Sequence, residues 1–137
     1  MRILGVDFGD RRTGVALSDE FGWTAQGLTT IFHWNPEEVA KEVAKIAHES
    51  KAEKIVLGLP KNMDGSVGFR GEATKEFAEM LKEKIDIPVI FWDERLSTVA
   101  AHRTLNETNV RGKKRKNIVD TVAATYILQG YLDSLSK

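Results

Sequence analysis

Apolar positions in this chain recur with two periods. Residues 2–7 (RILGVD) form a short apolar run ending on a carboxylate, Asp7, and Val15, Ala16 and Leu17 form a second run. Gly9-Asp10-Arg11-Arg12-Thr13-Gly14 between them has the glycine and Asx content of a turn, so the two runs predict a hairpin. A third strand is predicted over 27–32. It stops short of Asn35-Pro36-Glu37-Glu38, where Asn35 suits an N-cap, Pro36 the first helical position and the two acids the first turn. Val39, Val43, Ile46 and Ala47 then follow helical spacing, which predicts a helix over about 36–50.

Lys54 to Gly58 reads as a buried strand, and Leu59 to Phe69 as a loop carrying Pro60, an Asp64-Gly65 turn signal and Gly68. Ala73, Phe77, Met80 and Leu81 form the apolar stripe of a second helix. Pro88 to Trp92 is the next predicted strand and runs straight into Asp93-Glu94-Arg95. Ser97 or Thr98 can cap a third helix to about Leu105. The stretch 106–116 is polar and basic and reads as a loop; the last helix is predicted over about 117–132, with Val119, Val122, Ala123, Tyr126 and Ile127 on one face. Strands joined by hairpins pair antiparallel, whereas strands joined through helices pair parallel. The expected fold is α/β: a mixed five-stranded sheet, three antiparallel strands followed by parallel crossovers, with helices on both faces.

Composition narrows the class. With 137 residues, 42% of them hydrophobic, the chain can bury one core, so a single domain over 1–137 is expected. There is no cysteine, which excludes a disulfide framework, a thiolate metal site and Cys catalysis, and leans towards the cytoplasm. The first apolar run is too short for a signal peptide, and no run approaches the roughly 18 residues that span a bilayer. A soluble cytoplasmic protein without a membrane partner is expected. Net charge is zero, but Arg111, Lys113, Lys114, Arg115 and Lys116 concentrate five of the 20 basic residues in six positions. The remaining chain keeps 15 basic against 20 acidic residues.

Three acids fall where such a sheet would gather them: Asp7 at the end of the first strand, Glu94 just past the last, and Asp120 in the first turns of the last helix. Ligand crevices in open α/β sheets lie outside the carboxyl ends of the strands. Ala123 and Ala124, three and four positions after Asp120, are small enough for that flank of the helix to approach the sheet. Converging carboxylates repel, and a divalent cation resolves the conflict. Oxygen donors without Cys suit Mg²⁺ or Mn²⁺, and a pair of such ions serves phosphodiester hydrolysis. Taken singly, each acid could be a cap or a solvated group; the inference rests on all three.

Neighbouring residues fit a phosphate-bearing substrate. Gly9 and Gly14 would let a backbone approach the site, or simply satisfy the turn. Arg12 and Arg95 could hold a phosphate in bidentate fashion, or orient Asp93 or Glu94. The run Arg111, Lys113, Lys114, Arg115 and Lys116 immediately precedes the helix of Asp120 and reads as a phosphate-tracking loop. Asn62, Ser66 and Arg70 could contact sugar or phosphate from the loop after the fourth strand. Trp92 reads as core, whereas Trp23 and Trp34 fall in irregular regions where bases could stack. His33, His48 and His102 show no ligand spacing.

Four segments in order give the chain a family likeness. They are Val6-Asp7-Phe8-Gly9 with Arg12-Thr13-Gly14-Val15-Ala16, Gly58-Leu59-Pro60 with Met63-Asp64-Gly65, Asp93-Glu94-Arg95-Leu96-Ser97-Thr98, and Asp120-Thr121-Val122-Ala123-Ala124 with Ile127-Leu128. Together they resemble the YqgF/RuvX family of Holliday-junction resolvases, also assigned to processing of the 5′ end of precursor 16S ribosomal RNA. The resemblance spans essentially the whole chain. It implies a ribonuclease H-like fold and a Mg²⁺- or Mn²⁺-dependent nuclease site with Asp7, Glu94 and Asp120 as its acids, Asp93 being the competing middle ligand. Structured RNA is the first expected substrate and branched DNA the second, with a monomer or a homodimer as the working form. Two other classes remain open: a nucleic-acid-binding module without catalysis, and a sugar-kinase-like phosphotransferase, for which 137 residues supply only one of the two domains required.

Overall fold

The computed structural model describes residues 1–62, 64–94 and 113–135, the side chains of 113–120 excepted. Five strands, β1 (Arg2–Asp7), β2 (Arg12–Ser18), β3 (Ala25–Phe32), β4 (Ala52–Leu59) and β5 (Val89–Asp93), form one sheet in the order β3-β2-β1-β4-β5. The first three pair antiparallel, while β1 with β4 and β4 with β5 pair parallel, so the expected mixed sheet is present. Among the described residues three helices accompany it: α1 (Pro36–Ser50), α2 (Phe69–Lys82) and α3 (Lys113–Leu135). The helix expected over 97–105 lies outside the described residues.

Alternation along the strands divides the core in two. Leu4, Val6, Val15, Ile55 and Leu57 point to one face and pack against Val39 and Val43 of α1 and Phe77 and Leu81 of α2. Ile3, Ala16 and Val56 point to the other and pack against Ala123, Ala124, Ile127 and Leu128 of α3. Because side chains alternate with period two, Gly5 and Asp7 share the α3 face with Ile3. Glycine lets this helix come down close to the strands. A Cβ at Gly5 would stand 2.7 Å from Leu128 Cβ and 3.1 Å from the Ala124 carbonyl oxygen, which no side chain tolerates without movement of the helix.

Local chemistry follows the sequence at most ends. Asn35 caps α1 by accepting from the Glu37 N–H at 3.0 Å, with Pro36 in the first helical position. Two boundaries differ from expectation. β3 starts at Ala25 rather than 27, because Ala25 pairs with Ser18 and its N–H donates to the Gln129 side chain at 2.9 Å, a long-range contact that no local signal announces. α3 starts at Lys113 rather than about 117, so Lys113, Lys114, Arg115 and Lys116 are helical instead of forming a loop. Lys and Arg are good helix formers, and charge density had been read as loop character where propensity favoured helix.

Candidate active site

Asp7 ends β1 in the middle of the sheet, and only 7% of it is exposed. Glu94 follows β5 directly and is 6% exposed. Gly58 of β4 lies between them: it pairs with Trp92 on β5 and stands one residue beyond the Val6–Leu57 pair that joins β4 to β1. A Cβ at position 58 would lie 3.1 Å from Glu94 Oε1 and 2.4 Å from Ile127 Cδ1. The Glu94 carboxylate therefore occupies the space that glycine vacates, on the α3 face, which is also the face of Asp7. Asp93 goes elsewhere, forming an ion pair with Lys61 (Nζ to Oδ2 3.7 Å).

α3 is held at this edge by a hydrogen bond between the Thr121 and Thr30 hydroxyls (2.8 Å). Thr30 pairs with Gly14 and Gly14 with Asp7, so Thr121 sits level with Asp7 across the sheet. Residue 120 immediately precedes Thr121 in the helix; its side chain lies outside the described residues. Among the described residues no group of three or more metal-ligating side chains occurs. What is present is two buried carboxylates on one face at one edge. His33 Nδ1 already accepts from the Asn35 N–H (2.9 Å). An all-oxygen donor pair of this kind fits a hard divalent ion and not a thiolate or imidazole centre.

The turn between β1 and β2 accounts for Gly9 in its own terms. A Cβ there would fall 2.3 Å from the Arg12 carbonyl oxygen, so the close backbone approach is internal to the turn. Arg12, half-buried at the head of β2, makes no ion pair among the described residues. Phe8 stacks on Phe77 (centroids 4.3 Å apart) and fixes the end of β1 against α2. After β4, Asn62 and Ser66 bond to each other (Nδ2 to Oγ 3.0 Å) and Ser66 to Asp64, so these side chains close their own turn, with Gly65 at φ 90°. The two tryptophans singled out above separate: Trp34 follows the end of β3 at the edge of Asp7, and Trp23 lies in the β2–β3 turn at the opposite edge, both 73% exposed. Trp92 packs into the α3 face of the core. Arg95, Arg111 and the side chains of Lys113, Lys114, Arg115 and Lys116 lie outside the described residues. Sequence reasoning missed Gly58 and Gly5, whose signal was a glycine inside an apolar strand pattern.

Comparison with known proteins shows the kinship and the fold of the chain. The RuvX family profile, described as Holliday junction resolvase, matches residues 1–134. A relative from Clostridium novyi (strain NT), named "Putative pre-16S rRNA nuclease", is 56% identical over 135 residues, covering 98% of this chain and 100% of its own. One of the same name from Acetivibrio thermocellus is 52% identical over 139 residues, covering 100% and 99%. Among solved structures, Thermus thermophilus RuvC in complex with a Holliday junction substrate superposes with a TM-score of 0.63 at 10% identity, covering 99% of this chain and 97% of its own. The fowlpox virus Holliday junction resolvase gives 0.54 at 17% identity, covering 98% and 99%. At those identities the structures establish the shared ribonuclease H-like fold, and the sequence relatives establish kinship. No helix among the described residues is long and apolar enough to cross a membrane. The chain belongs to the RuvX (YqgF) family of nucleases, enzymes that depend on divalent metal and act on nucleic acid.

Proposed function

We propose that this chain is a divalent-metal-dependent endonuclease acting on structured RNA, with 5′-end processing of precursor 16S rRNA as its task. The observation that carries the reading is the pair of buried carboxylates, Asp7 and Glu94, on the α3 face of one sheet edge. Asp120 belongs to the same helix, one turn before Ala123 and Ala124, and is the third acid. Glu94 rather than Asp93 is the middle ligand, because Asp93 is engaged by Lys61 and Glu94 shares the face of Asp7.

These acids would hold Mg²⁺ or Mn²⁺. Bound there, the ion supplies Lewis-acid stabilisation of the phosphodiester oxygens and lowers the pKa of an attacking water. The chain's own residues do the rest. Asp7, at the end of β1, and Glu94, directly after β5, hold their carboxylates in fixed positions, so little reorganisation accompanies reaction. Arg12, unpaired among the described residues, binds a phosphate next to the scissile one. Arg95, Arg111, Lys113, Lys114, Arg115 and Lys116 extend that contact along the backbone of the substrate.

RNA is preferred over DNA as substrate because the relatives named for precursor rRNA share more than half their residues with this chain, while the junction-bound neighbour shares a tenth. The junction reading stays second on the strength of the family description. Both are tested by incubating wild type and Asp7→Asn with Mn²⁺ and either precursor 16S RNA or a four-way DNA junction. RNA cut by wild type alone supports the first reading; junction cut alone supports the second. Equal binding by both proteins with no cleavage of either substrate replaces both with a binding module. Sedimentation adds a check, since paired symmetric cuts in a junction require a two-fold dimer.

A further inference from the structure

At the opposite end of the sheet, α1 stops and β4 begins around a cavity of about 610 Å³. Its lining includes the basic residues Lys45, His48 and Lys51 and the apolar residues Ala52, Ile85 and Ile87. Lys84 also lines it, with its ammonium on Glu37 at 3.0 Å. Lys45 and Lys51 form no ion pair among the described residues. One acid, Asp86, completes the wall.

Lys51 is the unusual member. It is the only described non-glycine residue with positive φ (58°, ψ 40°), at the position that closes α1, where glycine adopts this conformation without strain. Its backbone N–H satisfies the carbonyls of Ala47 and His48, a task glycine performs equally well. Basic side chains in a last helical turn complement the helix dipole. That explains His48. It does not explain a lysine at a left-handed position, nor a cavity beside it lined in part with isoleucine. An outlier of this kind points to a use for the side chain.

The geometry points to a binding site for a free nucleoside monophosphate. The phosphate would lie on Lys45, His48 and Lys51, the base on Ile85 and Ile87, and Asp86 would accept from an exocyclic amino group. The volume lies within the range of small-molecule pockets and far exceeds what a bare phosphate needs. A continuous nucleic acid strand is disfavoured because α1, which leads from the cavity towards the catalytic edge, carries four glutamates against two lysines. The site is independent of the nuclease reading.

The test is titration of the whole protein with AMP at low salt, followed by amide chemical shifts, in wild type, Lys45→Ala and Lys51→Gly. Shifts are expected to be confined to residues 44–52 and 84–87. Adenosine and inorganic phosphate, each lacking one half of the contacts, should bind about tenfold more weakly than AMP. Lys51→Gly should weaken AMP by about tenfold while raising Tm by about 3 °C, since it removes both the ammonium and the strain. Misfolding therefore cannot imitate loss of the site. Undiminished AMP binding by Lys51→Gly, shifts elsewhere in the protein, or inorganic phosphate binding as tightly as AMP would each overturn the proposal. A 5′-phosphorylated oligonucleotide that shifts the same amides more tightly than AMP would overturn the choice of a free nucleotide.

Discussion

Asp7 and Asp19 both stand at strand ends in this molecule and have opposite fates. Asp7 closes β1 at the carboxyl edge, and Asp19 follows β2 at the amino edge; each has an aromatic-glycine pair close behind, Phe8-Gly9 and Phe21-Gly22. Asp19 is spent on its own turn, its Oδ1 accepting from the N–H groups of Trp23 (2.7 Å) and Thr24 (3.0 Å). Asp7 is buried in the middle of the sheet, on the face that α3 covers. The lesson is that an acid at a strand end becomes a candidate for chemistry when it is buried on a face that a helix covers, as Asp7 is here. An acid at the corner of a hairpin finds local donors first.

The largest effect expected from breaking this contrast is catalytic. Asp7→Asn should lower cleavage of the RNA substrate by more than about 100-fold, above what losing an outer-shell partner of a metal ligand costs. Asp19→Asn should leave the rate unchanged. Single-turnover rates with Mn²⁺ measure both, and equal losses would remove the distinction between the two edges.

Glycines on the α3 face sharpen it further. Gly5→Ala forces a methyl against Leu128 Cβ and the Ala124 carbonyl, so the whole helix must shift, at about 1–3 kcal/mol in stability. Gly58→Ala meets side chains and no backbone, Ile127 at Cδ1 and Cγ1 and Glu94 at Oε1, so its cost in stability is smaller but it displaces a carboxylate. Denaturant midpoints should fall more for Gly5→Ala, and activity of the still-folded protein should suffer in Gly58→Ala. The reverse ranking would mean that Glu94 is not held by the space over Gly58.

Much of this was legible in the sequence because it depends on local pattern. Strand and helix periods gave the mixed sheet, Asn35-Pro36 gave the start of α1, and Asp7 and Glu94 were found as acids abutting apolar runs. What escaped depends on partners far away in the chain. β3 reaches back to Ala25 because Gln129 bonds to it, 104 residues on. Gly5 and Gly58 matter only once α3 lies across them. The choice between Asp93 and Glu94 needed strand alternation counted from Trp92, which packs on the α3 side, and the Lys61 ion pair. The early start of α3 was missed because a run of basic residues was weighed by charge and not by helix propensity.

The tryptophans provide a smaller test of the same contrast. Trp34 and Trp23 are equally exposed, and only Trp34 is at the edge of the carboxylates. Stacking an unpaired base is worth roughly 1–3 kcal/mol, or about fivefold in Kd at the lower end. Trp34→Ala should weaken RNA binding by that factor, and Trp23→Ala should not. Filter binding of the two variants separates them, and indistinguishable affinities would take base stacking out of the substrate path.

The smallest effect belongs to Asp19 itself. The Thr24 N–H holds its carboxyl below the ordinary value of 3.8; desolvation pushes back, and the N–H of Trp23 adds a smaller pull downward. A depressed folded value means that the charged form is favoured by folding. The contribution is therefore fully present above the ordinary carboxylate range and is lost as pH falls through the folded value beneath it. Asp19→Asn keeps an acceptor oxygen but removes the charge, so its Tm should lie slightly below wild type at neutral pH, and the gap should close at pH values under about 3.9. Because Asp19 lies in a surface turn open to solvent, screening keeps the difference small. A gap that persists unchanged into acid would show that the turn depends on the geometry of its acceptor alone and owes nothing to charge.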